Sequence, residues 1–369
     1  MRVLFVGEPD NGFNCSAHNA RALASIGVQV QFDAGDGWRS RQWRQTCSRI
    51  DAIHLVTYVQ QDWILLRKLW RARMQGVQIV RYWVGSDCLW ARFHGPTRRF
   101  AQALGHLGAV NLAVAEHLVE ELARIGVEAE YVPIITPNIS SMAEPHPLPK
   151  QLTVLCYLPT IKRDFYGGPI IDQLIAGMPD VHFIVLGDEG TDYSCHDNVE
   201  SLGYVKDPSR TIGRCTVHVR PTLHDGMPRL VLEMLSRGRH AITSHPYPHC
   251  QHATGAEEIK RILRWLQRSA KFNLPGRQYV CEHFDTARTV RVLRDEIQRH
   301  LGPGRSGRWI KGKLQAAQLL SRCPWILSRK CEPLPRWQNL PTEAEALRVV
   351  LRGYEQAETQ AVAAAGSSQ

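Results

Sequence analysis

Short apolar runs alternate with stretches of helical period along most of the chain. In the first half the runs fall at residues 2–6, 28–32, 52–56, 77–83, 110–114 and 131–135, and each reads as a strand. Segments 16–26, 61–74 and 115–125 lie between them, with the length and 3.6-residue period of amphipathic helices. Continuous apolar strands separated by helices predict a parallel sheet covered on both faces. Residues 139–150 then bring Pro145, Pro147 and Pro149 into a polar stretch, the composition of an interdomain linker.

After the linker the rhythm restarts. Strands are predicted at 152–158, 182–187, 217–220 and 240–243, with helices at 170–176, 230–236 and 257–269. A further amphipathic helix covers 284–301. The expected architecture is α/β: two tandem Rossmann-like, doubly wound domains and a C-terminal extension. The domains are expected at 1–140 and 150–283, with a crossover helix at 284–301 and a tail at 302–369 that is basic, then small and polar. Such sheets bind ligands beyond the carboxyl ends of their strands.

Composition narrows the picture. The 369 residues are 44% hydrophobic and 22% charged, which suits a folded globular chain. No apolar run approaches the ~18 residues that span a bilayer. The leading MRVLFVG is too short for a signal peptide and reads as a first strand. Ten cysteines without a CxxC pair do not form a secreted disulfide framework. The expected location is the cytoplasm, with a peripheral site at the inner face of the membrane as an extension of that reading.

The net charge of +10 is local. Residues 302–330 hold seven basic side chains and no acid, and residues 38–73 carry a net +6. Clusters of this kind call for anionic partners such as phosphates or acidic lipid. With Trp309, Trp325 and Trp337 nearby, the first cluster suits an anionic membrane surface as well as packing on the body. Gly312 weakens the helical pattern of 308–322. Segment 61–74 places Trp63, Leu66 and Trp70 near one face and cations on another, so it too reads either as a helix packed on the sheet or as an interfacial one. No nucleic-acid module signature is present, and no nucleic-acid partner is expected.

The most informative stretch is VRPTLHDGMPRLVLEMLSRGRHAITS, residues 219–244. A strand ends at Arg220-Pro221. A loop carrying Asp225, Gly226 and Met227 follows, and a helix starts near Pro228. Glu233 stands eight residues after Asp225, inside that helix. Gly226 and Met227 allow a ligand close to the backbone, and the helix start, with Arg229 and Leu230, offers amides to a phosphate. The unit can hold a diphosphate on its amides and sugar hydroxyls on its carboxylates.

This stretch resembles the acid-x7-acid signature of retaining GT-B glycosyltransferases of the nucleotide-sugar-dependent "group 1" type. Asp225-Gly226, Glu233, Gly238 and Ala241-Ile242-Thr243-Ser244 carry the likeness, with Asp for the usual first Glu and Pro228 for the second glycine. Gly203-Tyr204-Val205 matches the turn that faces the nucleotide base. Strand 152–158 with Lys162 and Arg163 matches the basic loop that neutralises the diphosphate. YWVGSD at 82–87 is similar to the acceptor-side loop, with Val84 in place of its histidine, and the segment around Gly12 stands where the first glycine loop belongs.

The resemblance implies donor contacts at Gly203, Tyr204, Gly226, Met227, Arg229, Leu230 and Glu233, with Glu233 on the ribose. It implies catalytic roles for Asp225 at the transferred sugar and for Lys162 or Arg163 at the departing phosphate. Gly12, His18 and Asp87 are the acceptor-side candidates. No metal and no cofactor are implied beyond the nucleotide-diphospho-sugar itself, and the acceptor is a glycan or lipid-linked glycan. The rival readings are a GT-B enzyme of other chemistry, such as an epimerase or phosphorylase, and a degenerate GT-B or phosphate-backbone-binding protein without catalysis. The histidines of HPYPHCQH, residues 245–252, match no tetrahedral zinc spacing.

Overall fold

In a computed structural model, the described residues are 1–6, 15–33, 42–55, 63–137, 139, 147–160, 163–187, 191, 193–302 and 305–323. They divide into two compact units, Met1–Pro133 with Val290 onward, and Ile134–Thr289.

In the first unit the order is β1 (Arg2–Val6), α1 (Cys15–Ser25), β2 (Gln29–Asp33), α2 (Trp43–Arg49), β3 (Ala52–Leu55), α3 (Trp63–Met74), β4 (Gln78–Trp83), α4 (Ser86–Phe93), α5 (Gly95–His106), β5 (Val110–Ala113), α6 (Glu116–Ala123) and β6 (Glu130–Tyr131). The strands form one parallel sheet in the order β2-β1-β3-β4-β5-β6. The inner strands β3 and β4 are buried at every position, including the polar His54, Gln78 and Arg81 among their apolar residues, whereas the edge strand β2 is largely exposed. The strand expected over 131–135 shrinks to β6, because Pro133 has no N–H to extend a ladder.

The second unit runs β7 (Thr153–Tyr157), α7 (Gly168–Gly177), β8 (His182–Leu186), β9 (Val199–Ser201), α8 (Ser209–Gly213), β10 (Val217–Arg220), α9 (Arg229–Ser236), β11 (His240–Thr243), β12 (Gln251–His252), α10 (Ala256–Ser269) and α11 (Leu274–His283). Its parallel sheet is ordered β12-β11-β10-β7-β8-β9. Numbered within the unit and read from β9, that is the Rossmann order 3-2-1-4-5-6, and the order reverses between β7 and β10. α10 shows why such helices dock: Ala256, Ile259, Leu263 and Leu266 form one apolar stripe, all buried against the sheet.

α12 (Thr286–Leu301) begins in the second unit and ends in the first. α13 (Arg305–Arg322) follows and packs on α3. Trp70 Nε1 donates to the Ala316 carbonyl at 3.1 Å, and Arg73 Nε donates to Gln315 Oε1 at 2.9 Å. Gly312 therefore does not interrupt the helix. It is where α13 meets the end of α3, and a β-carbon there would collide with the Arg73 carbonyl oxygen. Ala316 and Leu319 join the first unit's core beside Leu65, Leu66 and Leu69 of α3, so the apolar side of 61–74 is a packing face.

Candidate functional site

The reversal point between β7 and β10 is where the second unit's chemistry gathers. β10 ends at Arg220, whose Nε donates to Asp225 Oδ2 at 2.5 Å. Both side chains are largely buried, at 11% and 18% exposure. Asp225 Oδ1 also accepts from the Gly226 amide at 3.0 Å. The Arg220 guanidinium lies 5.0 Å from the Tyr166 ring centre and 5.9 Å from that of Tyr157, which ends β7. Burial alone would favour the neutral form of each partner. The charge and hydrogen bond between them reverse this, holding Asp225 below the usual carboxylate range and Arg220 above its ordinary value. Burial likewise pushes the Tyr166 hydroxyl up to about 12.

The loop bearing Asp225 is held from both sides. Leu223 N–H donates to the Phe165 carbonyl at 3.0 Å, tying it to the loop after β7. Gly167 makes that approach possible: its φ is +81°, and a β-carbon would strike the Pro221 carbonyl oxygen. From the β11 side, the Ser244 hydroxyl donates to the Thr222 carbonyl and the Tyr247 hydroxyl to the Gly226 carbonyl. His245 stacks on Tyr247 and meets His224 edge-on, with ring centres 6.2 and 5.7 Å apart, and both histidines act electrostatically on Asp225.

α9 starts beside Pro228, as the sequence pattern implies. Pro228 is its N-cap in an extended conformation, and Arg229 is the first helical residue. Met227 is buried, while Leu230 is half-buried against a core cluster that includes Leu155 and Met234. Glu233 is half-buried, and among the described residues its carboxylate has no hydrogen-bond donor. Burial raises its pKa, against the pull of Arg237 and Arg229. A carboxylate kept partly desolvated and without a donor can accept hydroxyl groups from a ligand.

At the other side of β7, the Gly187 amide donates to the Gly203 carbonyl at 2.6 Å, joining the ends of β8 and β9, and Tyr204 stands half-exposed beyond them. Arg163 donates to both oxygens of Asp172 on α7 and, at 3.0 Å, to the Tyr193 hydroxyl. The Asp172 hydrogen bonds raise its pKa further, so it remains a cation. A cavity of about 300 Å³ adjoins this pair, lined by Thr191 and His196 among others. Lys162 and Gly12 lie outside the described residues.

Asp225, Gly226, Met227, Arg229, Leu230 and Glu233 thus share one loop and helix, with Gly203 and Tyr204 at the same end of the sheet. His18 and Asp87 belong to the first unit. His18 is half-buried on α1. Asp87 is 1% exposed, and its Oδ1 accepts from the amides of Val84, Gly85 and Cys88 while Arg81 lies 3.6 Å from Oδ2. Asp87 therefore shapes the turn that starts α4 from within. Arg220, Tyr157, His224 and Tyr247 carry no site signature in the sequence, and His245 stands out there only as one of the metal-capable histidines of 245–252. For Arg220 the available signal was a cation closing an apolar strand five residues before an acid.

One group among the described residues has metal-ligand geometry: Glu130, Glu296 and His300, with ligand atoms within 4.8 Å of one another. Arg299 is paired with both of its carboxylates, so a cation is already present there.

No family model and no curated protein matches the sequence. Solved structures do match. HepE of Anabaena, crystallised with UDP and glucose, superposes with a TM-score of 0.62 at 14% identity over 81% of this chain and 100% of its own. Sucrose-phosphate synthase from Thermosynechococcus elongatus gives 0.61 at 13% identity over 82% and 99%. A glycosyltransferase from Rickettsia africae gives 0.56 at 9% identity over 82% and 99%. The chain has the GT-B fold. In GT-B terms the second unit is a Rossmann-like domain, and the Arg220–Asp225 pair with the start of α9 occupies the crevice at its reversal point.

Proposed function

We propose that this GT-B chain is a glycosyltransferase that moves a sugar from a nucleotide-diphospho-sugar to a glycan or lipid-linked acceptor, with retention of anomeric configuration. The observation that carries the reading is the placement of Asp225 and Glu233 on one loop and helix at the sheet's reversal point, the first ionised by Arg220 and the second with no hydrogen-bond donor among the described residues. HepE, of the same fold, was crystallised with UDP and with UDP-glucose, which makes a uridine diphosphate the first ligand to try.

In this reading Glu233 accepts the ribose hydroxyls and Tyr204 flanks the base. The diphosphate lies on the amides that open α9 and beside Arg229. As the bond from the anomeric carbon to the β-phosphate oxygen breaks, negative charge grows on that oxygen and positive charge on the carbon. Fixed amide dipoles and cations stabilise the first, and the Asp225 carboxylate stabilises the second. Arg163 would have to leave Asp172 to reach a phosphate, which favours Lys162 of the two. The acceptor hydroxyl attacks the face the diphosphate leaves, and the departing oxygen takes its proton. Protein cations carry the charge, so the proposed reaction uses no metal.

The experiment is a panel of UDP-, GDP- and ADP-sugars assayed for thermal stabilisation and slow donor hydrolysis. At least one should raise the melting temperature and be hydrolysed, with hydrolysis falling at least ~100-fold in Asp225→Ala. A panel without effect on the wild type, or unchanged hydrolysis in the variant, removes the enzyme reading.

A further inference from the structure

α13 presents its inner side to the first unit and leaves a distinct outer side. Arg308, Gly312, Gln315, Ala316 and Leu319 face inward, at a spacing that returns every third or fourth residue. Directly opposite stand Ile310 and Leu314, 57% and 67% exposed, with Trp309, 46% exposed, at the margin on the Lys313 side. Three large apolar side chains within six residues of one helix are far more than scattered surface apolars account for. The cations are arranged around them. Lys311 and Lys313 are exposed on the two flanks, and Lys313 Nζ lies 3.5 Å from the centre of the Trp309 ring. No acidic residue occurs from 302 to 330.

We infer that the outer face of α13 docks the protein on the surface of an anionic lipid bilayer. Aliphatic side chains at the centre, a tryptophan at the margin and lysines on both flanks match the layers of such a surface: acyl chains, glycerol region and phosphates. Among the described residues no helix is long and apolar enough to cross a membrane, so the contact lies in the interface plane. A second copy of the chain fits less well, because a two-fold contact through this face would bring lysines against lysines. Nucleic acid would use the cations and the tryptophan, but it offers nothing to Ile310 and Leu314.

The helix is built to stay on the body while doing this. Its inner contacts, Trp70 to Ala316, Arg73 to Gln315 and Arg308 to Asp51, involve none of the outward residues. The outer face can therefore be altered without unfolding the helix.

The test is co-sedimentation of the full chain with phosphatidylglycerol-containing vesicles and with pure phosphatidylcholine vesicles, at low and high salt. The wild type should bind the anionic vesicles at low salt, and each lysine removed should weaken binding by roughly fivefold. Lys311→Ala/Lys313→Ala should thus lose about 25-fold, and Ile310→Asp/Leu314→Asp should lose binding at both salts, with melting temperatures unchanged in both. Failure of the wild type to bind, or equal binding by the Ile310→Asp/Leu314→Asp variant, overturns the inference. So does a dimer that this variant converts to monomer without any vesicle binding, or a preference for a DNA oligonucleotide over the vesicles. Vesicle binding requires no sugar transfer, so it stands or falls separately from the donor site.

Discussion

Arg220 and Asp225 are joined across the end of β10 by a 2.5 Å hydrogen bond between Nε and Oδ2, with most of both side chains out of water. The pair keeps an acid ionised at the crevice of a parallel sheet, where desolvation alone would neutralise it. Its partners Tyr157 and Tyr166 shield the guanidinium from the other side. In the proposed reaction this is how Asp225 remains a carboxylate beside a carbon gaining positive charge.

Breaking the pair from one side strands the other charge. Arg220→Ala should destabilise the protein by about 3 kcal/mol, the scale for a buried ion pair deprived of one member. Arg220→Lys should recover part of this, since the charge returns without the planar Nε donor. Chemical denaturation of the two variants decides it; equal stability of Arg220→Ala and wild type would show that the pair carries no such weight.

Gly167 is expected to tolerate no side chain. Its left-handed φ costs an alanine roughly 1–2 kcal/mol, and the β-carbon would also press on the Pro221 carbonyl oxygen. Gly167→Ala should lower the melting temperature by several degrees and, by moving the loop that precedes Asp225, weaken nucleotide binding as well. A variant with wild-type melting and binding would mean that the two loops are not locked together here.

The two acids should respond to pH with opposite sign. Asp225 has a lowered pKa, so its contribution is present above the ordinary aspartate range and is lost as the pH falls through its folded value. Glu233 has a raised pKa, so the folded state binds more protons than the unfolded one between the ordinary glutamate range and that raised value, and stability falls as pH rises through the window. Glu233→Gln should therefore be more stable than wild type at neutral pH, with the difference vanishing on acidification. Melting curves across pH for both proteins check the sign; a neutral-pH loss of stability in Glu233→Gln would contradict a carboxylate whose pKa is raised by partial burial.

Much of this was legible in the chain. Inner strands such as β1 and β8 carry unbroken apolar runs, Val3–Val6 and Phe183–Leu186, because both faces of a parallel sheet are covered, and the loop and helix from Asp225 to Glu233 are contiguous in sequence. What escaped depends on contacts between distant segments. β9 and β12 are three and two residues long, with polar sequences that only their neighbours in the sheet make into strands. Gly312 lowers local helix propensity, yet its lack of a side chain is what lets α13 close on Arg73. The Leu223–Phe165 hydrogen bond and the Gly167–Pro221 approach join residues more than fifty positions apart and leave no periodic trace.

In the proposed reaction the crevice between β7 and β10 holds a nucleoside diphosphate with Glu233 on its ribose. Isothermal titration of UDP, with GDP and ADP alongside, into wild type and Glu233→Ala tests it most directly. At least one of the three should bind the wild type, with a loss of at least ~10-fold in the variant, the scale of hydrogen bonds to a charged acceptor. Absence of binding by all three, or equal affinity in the two proteins, would contradict it.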